Sequence, residues 1–361
     1  MRISKLYLTL LLAFSACVLI APGAKAESGR AFQDPLSMAA TPVAGALKIS
    51  KQPILALATV NKKIVAVGLR GLIALSDDGG KIWRQAKVPV QSDLTAVTFP
   101  NDRNGWAVGH DGVIIATSDA GETWVKQFDG NQAATLFPDY YRKQVEAGNE
   151  GKKAFLDQVT LNAQNGAALP YLAVHFANEK IGYAVGSFGM IVATEDGGKM
   201  WRPWLEHVEN NDFLNLNDIQ QVGTDLYMVG ERGMVWKLDR SSMVFKSIAT
   251  GYNGSFFGLT GSQDKLLAFG LAGTVYRSAN RGLTWEPANI GTRATLTAGT
   301  VTGSGLPILV SERGQLFIGD SQWKTFQAHP IPNLSMLAAV AISGTDSVVV
   351  AGYGGIQVQS K

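Results

Sequence analysis

AVGSFGMIVATEDGGKMW, residues 184–201, has two near-duplicates in the same chain: AVGLRGLIALSDDGGKIW at 66–83 and AVGHDGVIIATSDAGETW at 107–124. Weaker copies follow in the same register: MVGERGMVWKLDRSSMVF (228–245), AFGLAGTVYRSANRGLTW (268–285), LVSERGQLFIGDSQWKTF (309–326) and VAGYGGIQVQSK (350–361). Seven copies of one unit decide the fold, because a unit that cannot bury its apolar face alone must stack on its neighbours.

The glycine opening each copy falls at 68, 109, 186, 230, 270 and 352, with Ser311 in the sixth, so the spacings are 41, 77, 44, 40, 41 and 41. Ahead of each copy runs an apolar stretch, at 55–60, 94–99, 171–176, 216–222, 256–260, 296–301 and 337–342. Short apolar runs bounded by Gly, Asn, Asp and Pro read as strands. Each unit is then an inner strand, a second strand, a Gly-x-x-Gly turn, a third strand and a second turn ending in an aromatic residue, followed by an outer strand. Four antiparallel strands in about forty residues, seven times over, predict an all-β, seven-bladed β-propeller in which ring closure hides the sheet edges.

The last copy ends after its third strand, and residues 45–50 are expected to supply the missing outer one. The doubled interval between Trp124 and Tyr171 lacks the Gly-x-x-Gly turn and is helical in composition. It predicts a helical insertion over 126–168, between blades 2 and 3, with Pro138 and Asp139 opening its first helix and Gly148 closing it.

The N-terminal residues carry Arg2 and Lys5, an apolar run from Leu6 to Ile20, and the small-x-small triplet Ala24-Lys25-Ala26. That pattern predicts a signal peptide over 1–26 and one propeller domain over 27–361, exported to the periplasm. A lipid anchor at Cys17 is the less favoured reading, since Phe14 stands where such signals carry Leu. Cys17 is the one cysteine, so the mature chain forms no disulfide. Removing Arg2, Lys5 and Lys25 leaves 29 basic residues against 29 acidic ones. A neutral chain lacks the basic surface that nucleic-acid binding rests on, and none is expected.

The turns 76–83, 117–124 and 194–201 fit S/T-x-D-x-G-x-x-W and resemble the Asp-box, or bacterial neuraminidase repeat. Asp78, Asp119 and Asp196 are read as structural, their carboxylates accepting from the N–H groups of their own turns, with Trp83, Trp124 and Trp201 packing between blades. Asn280 and Trp285 keep this frame in the fifth copy, whereas the fourth and sixth read as degenerate around Phe245 and Phe326.

Because the box recurs in glycosidases, a carbohydrate-binding or sialidase-like propeller is the alternative to a binding scaffold. The Arg-Ile-Pro motif of sialidases is missing, His110, His175, His207 and His329 fall in separate units, and no Gly-x-Ser-x-Gly, Walker loop or HExxH occurs. Neither catalytic residues nor a metal or other cofactor are expected.

Val-Gly-x-x-Gly, an apolar strand and then Asp-Gly-Gly-x-x-Trp, clearest in units one to three, also resemble the photosystem II stability and assembly factor family and its relatives in non-photosynthetic bacteria. The resemblance spans nearly all of the mature chain. It implies a non-enzymatic, chaperone-like propeller whose partner is a membrane protein or a subunit of a membrane complex.

Within the Gly-x-x-Gly turns arginine recurs as Arg70, Arg232 and Arg313, in blades 1, 4 and 6. Planar guanidinium groups recognise carboxylates, and the resemblance likewise implies an arginine-bearing binding face. These three, with Tyr353 of the last turn, are the candidate partner-binding residues on one side of the mouth. Tyr140 and Tyr141 of the insertion, with Phe137, are expected to form an apolar wall on the other side. The protein is expected to be a monomer.

Overall fold

Seven antiparallel sheets follow one another along the chain in the computed structural model, which describes residues 33–164, 166–344 and 347–360. Six have four strands and the seventh has three. Blade 1 comprises Ile54–Val60, Lys63–Gly68, Ile73–Ser76 and Arg84–Gln85, each strand pairing with the next in sequence. The inner strands of successive blades touch, and that of blade 7, Leu337–Ser343, touches that of blade 1. The ring therefore closes at seven. The signal peptide read over 1–26 and its Cys17 lie outside the described residues.

The core lies between blades. Second and third strands such as Lys63–Gly68 and Ile73–Ser76 are buried almost throughout, because both of their faces meet a neighbouring sheet. Ile49, Ile64, Ala74 and Trp83 pack on Val349, Ala351 and Ile356, which seals blade 7 to blade 1. Each inner strand opens with a bulge, at Leu55, Thr95, Leu172, Asn217, Phe257, Thr297 and Ala338. Three of these bulged residues bond the next blade. Thr95 Oγ1 donates to Tyr171 O at 2.6 Å, Asn217 Nδ2 to Phe256 O at 2.7 Å and Thr297 Oγ1 to Leu337 O at 2.7 Å.

The Gly-x-x-Gly spacing has a steric cause. A Cβ on Gly109, the first glycine of the blade 2 turn, would stand 2.0 Å from Asp93 O at the start of that blade. One on Gly71, the second glycine of the blade 1 turn, would stand 2.0 Å from Val90 O of the link to blade 2, and Gly71 has φ +71°. Backbone passes too close for any side chain.

Two expectations are corrected. Residues 45–50 do not form an outer strand: Ala46–Ile49 is a short helix, α1, and blade 7 keeps three strands among the described residues. A single bond, Ile356 N to Ser50 O at 2.8 Å, ties this segment to the third strand of blade 7, Gly355–Ser360. The rest of the closure comes from packing around Ile49.

The insertion is helical and does lie between the second and third sheets, but it does not begin at 126, since Val125–Phe128 is the outer strand of blade 2, and its first helix, α2, spans Gly130–Glu146 and encloses Pro138. Asp129 starts it through a capping box, accepting from Gln132 N while Gln132 Oε1 accepts from Asp129 N. That reciprocal pair outweighs the usual preference of proline for the first turn. The second helix, α3, spans Lys153–Ala163.

Candidate binding face

The short turns that end each blade are built as their residues require. Ser76 Oγ donates to Asp78 Oδ1 at 2.8 Å, Gly80 N donates to Ser76 Oγ at 2.8 Å, and Ile82 N donates to Asp78 Oδ1 at 2.9 Å. The Ile82 N–H, then the Ser76 hydroxyl, hold the Asp78 carboxyl below the ordinary range. Trp83 Nε1 donates to Gly80 O at 2.9 Å. Asp119 and Trp124 repeat the arrangement, as do Asn280 and Trp285. At Asp196 the carboxylate bonds are kept, but the indole Nε1 of Trp201 finds no partner.

The fourth and sixth turns are altered rather than lost. Asp320 accepts from Gln322, Lys324 and Thr325 N around a buried Trp323, and the Thr325 hydroxyl, then Lys324 N, push its carboxyl down to about 2. In the fourth turn the hydroxyls of Ser241 and Ser242 do the same for Asp239. A shift of a few residues in where the aspartate and the tryptophan fall hid the sixth turn from pattern reading. These carboxylates are spent on their own turns and converge on no common site.

The Gly-x-x-Gly turns lie on the opposite face, over the start of the inner strands. Five of them place a non-glycine residue in left-handed backbone: Arg70, Asp111, Phe188, Arg232 and Ala272. Link residues hold this conformation, Arg70 N donating to Asp93 Oδ1 at 2.7 Å and Phe188 N to Asn215 Oδ1 at 2.6 Å. Glu231 and Glu312 accept from Asn215 N and Thr295 N in the same way. Asp93, Glu231 and Glu312 are thus drawn down onto backbone, while Asp111 accepts from the Ser92 hydroxyl at 2.7 Å.

Its arginines are exposed. Arg232 pairs with Asp212 at 2.6 Å, whereas Arg70 and Arg313 make no ion pair among the described residues. A residue missed in the sequence joins them. Arg293, on the link from blade 5 to blade 6, is exposed, stands beside Gly273 of the blade 5 turn and likewise makes no ion pair among the described residues. Its only signal was its place three residues ahead of the inner strand at Leu296, outside the repeat that drew attention.

Tyr353 is half exposed and adjoins Met336, also half exposed, through the bond Tyr353 N to Met336 O at 3.2 Å; Met336 N donates to Glu312 O, next to Arg313. Phe188 and Leu271 project from the turns of blades 3 and 5. Basic and apolar side chains therefore alternate around the mouth. Arg232, Arg313 and Arg70 lie on the arc from blade 4 through blade 7 to blade 1, while α2 and α3 occupy blades 2 and 3.

The tyrosines of the insertion are placed differently from the wall expected. Tyr141 is 0 % exposed; its hydroxyl donates to Glu206 Oε2 and accepts from Leu205 N at 3.2 Å. Phe137 is also buried, at 2 %. Tyr140 is half-buried with its hydroxyl 3.5 Å from Glu206 Oε1, and Lys152 Nζ lies 3.5 Å from the same oxygen. Burial and then the Glu206 charge raise the Tyr141 phenol well above its ordinary pKa, so it remains a donor. This network clamps α2 to the turn Leu205–His207, which follows blade 3. It leaves no surface of Tyr141 or Phe137 for a partner. The exposed apolar residues of the hairpin are Leu136 and Leu161 instead.

A family model described as photosynthesis system II assembly factor YCF48 matches residues 47–136 and 149–333, skipping the C-terminal half of α2 and the turn after it. Among solved structures, YCF48 from Cyanidioschyzon merolae superposes with a TM-score of 0.64 at 14 % identity, over 86 % of this chain and 96 % of that one. YCF48 bound to D1 peptide gives 0.63 at 15 % identity, over 86 % and 94 %. The WD40 β-propeller domain of Doa1 gives 0.61 at 11 %, over 91 % and 97 %. At such identities these likenesses establish the propeller alone. No curated protein sequence matches the chain.

Proposed function

Because the chain belongs to the photosynthesis system II assembly factor YCF48 family, we propose that it is an exported, non-enzymatic scaffold that holds an extended segment of a membrane-complex subunit across its Gly-x-x-Gly face. The observation that carries the reading is the set of exposed arginines without carboxylate partners among the described residues, Arg70, Arg293 and Arg313, interleaved with Leu271, Met336 and Tyr353. Such a rim suits a segment bearing both acidic and apolar side chains, since bidentate arginine contacts supply orientation and apolar burial supplies affinity. One relative of this fold has been solved with a peptide, YCF48 bound to D1 peptide. A non-catalytic role agrees with Asp-box carboxylates that are consumed by their own turns.

The test is co-purification from detergent-solubilised membranes, quantified by mass spectrometry, with the wild-type protein and the variant R70A/R293A/R313A. Subunits of one membrane complex are expected to be enriched by the wild type and depleted about tenfold or more in the variant, with its melting temperature unchanged. Enrichment that ignores the arginines, or no enrichment of membrane subunits at all, overturns the reading.

A further inference from the structure

The inner strands enclose a central cavity of about 220 Å³ to which all seven blades contribute. The residue after each bulge lies on this channel: Ala56, Ala96, Ala173, Gly258, Ala298 and Ala339 in six blades, and Asp218 in blade 4. Six blades keep this position small, and one places a carboxylate there. Asp218 is the only ionisable residue lining the cavity among the described residues. The nearest comparable group on the adjoining inner strand, His175, lies outside that lining and is held neutral by burial, its pKa lowered to about 4.

Structural bonds use only part of the Asp218 carboxylate. Its Oδ2 accepts from Leu259 N of blade 5 at 2.9 Å, but Asn217 already bridges this seam through Phe256 O at 2.7 Å. The equivalent alanines elsewhere leave the ring intact with no such bond. Asp218 Oδ1 accepts from Ile219 N at 2.8 Å and from Gln220 Nε2 at 3.2 Å. A carboxylate has about four acceptor sites, so one on Oδ2 is left over, beside the cavity. No Lys, Arg or His pairs with this half-buried carboxylate among the described residues, although an uncompensated charge drawn partly out of bulk water is costly. Burial pushes its carboxyl up to about 6, so it is ionised at neutral pH and gains by acquiring a cation.

We propose that the central channel binds a primary alkylammonium group on the Asp218 carboxylate. An ammonium needs one charged acceptor and can use channel-facing carbonyls for its other protons, whereas a metal ion needs a cage of several oxygens. No group of three or more His, Cys, Asp or Glu that could form such a cage exists among the described residues. Phe257 and Phe269, which line the same cavity, supply apolar surface against which the alkyl chain can lie. The cavity, at about 220 Å³, has room for a four-carbon chain ending in nitrogen. This site is independent of the arginine rim, whose charge selects the opposite sign of ligand.

The experiment is thermal melting of the purified protein at pH 8 in butylammonium chloride, against sodium chloride of equal ionic strength, for the wild type and D218A. Alanine at this position is what five other blades carry, so the variant is expected to fold. The wild type should gain about 2 °C at ten times the dissociation constant, and D218A should gain nothing. The gain should also vanish at pH 5, where the carboxyl is protonated. An equal gain in both proteins, no gain in either, or a gain that calcium chloride produces and butylammonium does not, each overturns the proposal.

Discussion

Replacing Tyr141 by Phe removes one oxygen atom from the clamp that holds the helical insertion on blade 3. The ring itself is retained, so its contacts with Tyr140 and Phe155, at centroid separations of 5.0 and 5.7 Å, survive. Two partners are stranded. Leu205 N, in a buried bond, loses its acceptor, at a cost of about 1–2 kcal/mol, and Glu206, with a side chain only 9 % exposed, loses a charge-assisted donor worth about 1.5–3 kcal/mol. Lys152 and Tyr140, each 3.5 Å from the other carboxylate oxygen, retain part of the compensation, which brings the net loss to about 3 kcal/mol. Because the clamp joins the hairpin to one turn, the loss falls on hairpin docking rather than on the ring. Amide exchange over α2 and α3 should accelerate roughly a hundredfold, while the second strands of blades 5 to 7 keep their protection. Tyr140→Phe, which removes a long and half-exposed contact, should change exchange by less than about fivefold. Unaltered protection of the hairpin in the Tyr141→Phe variant, or equal loss in blades 5 to 7, would refute the clamp.

The Asp218 carboxyl rises from 3.8 when unfolded to about 6 when folded, so its contribution to stability is fully present below pH 4 and disappears as pH rises through 6. The stability of the wild type relative to D218A should therefore fall by about 2–3 kcal/mol between pH 4 and pH 7, measured by denaturant titration; a flat difference contradicts the assignment. Gly71→Ala puts a Cβ 2.0 Å from Val90 O at φ +71° and should destabilise by more than about 3 kcal/mol, whereas Gly251→Ala, at φ +84° with nothing within 4 Å, should cost about 1 kcal/mol. Equal melting temperatures for these two variants would show that backbone approach does not set the turn.

What was legible in the sequence is what neighbours in the chain enforce on one another. The Asp boxes could be read at 76–83, 117–124 and 194–201 because the bonds among their signature residues, hydroxyl to carboxylate, backbone to carboxylate and indole to carbonyl, span four residues or fewer. The strands could be read because both faces of the middle strands are buried and their runs are uniformly apolar. The count of seven followed from the repeat. The same local logic failed where tertiary contacts choose among local options. Residues 45–50 hold α1 rather than a strand, and α1 buries Ile49 in the seam between blades 7 and 1. Pro138 sits inside α2 because the cap at Asp129 sets the start. Tyr141 reads as an exposed aromatic until Glu206, 65 residues later, takes its hydroxyl, and Arg232 reads like Arg70 until Asp212 pairs with it. Asp218 is an ordinary acid in a largely polar strand, LNDIQQV, until six other blades place alanine or glycine around the same channel. Burial, pairing and exposure are properties of surfaces brought together from blades some forty residues apart, and only the closed ring decides them.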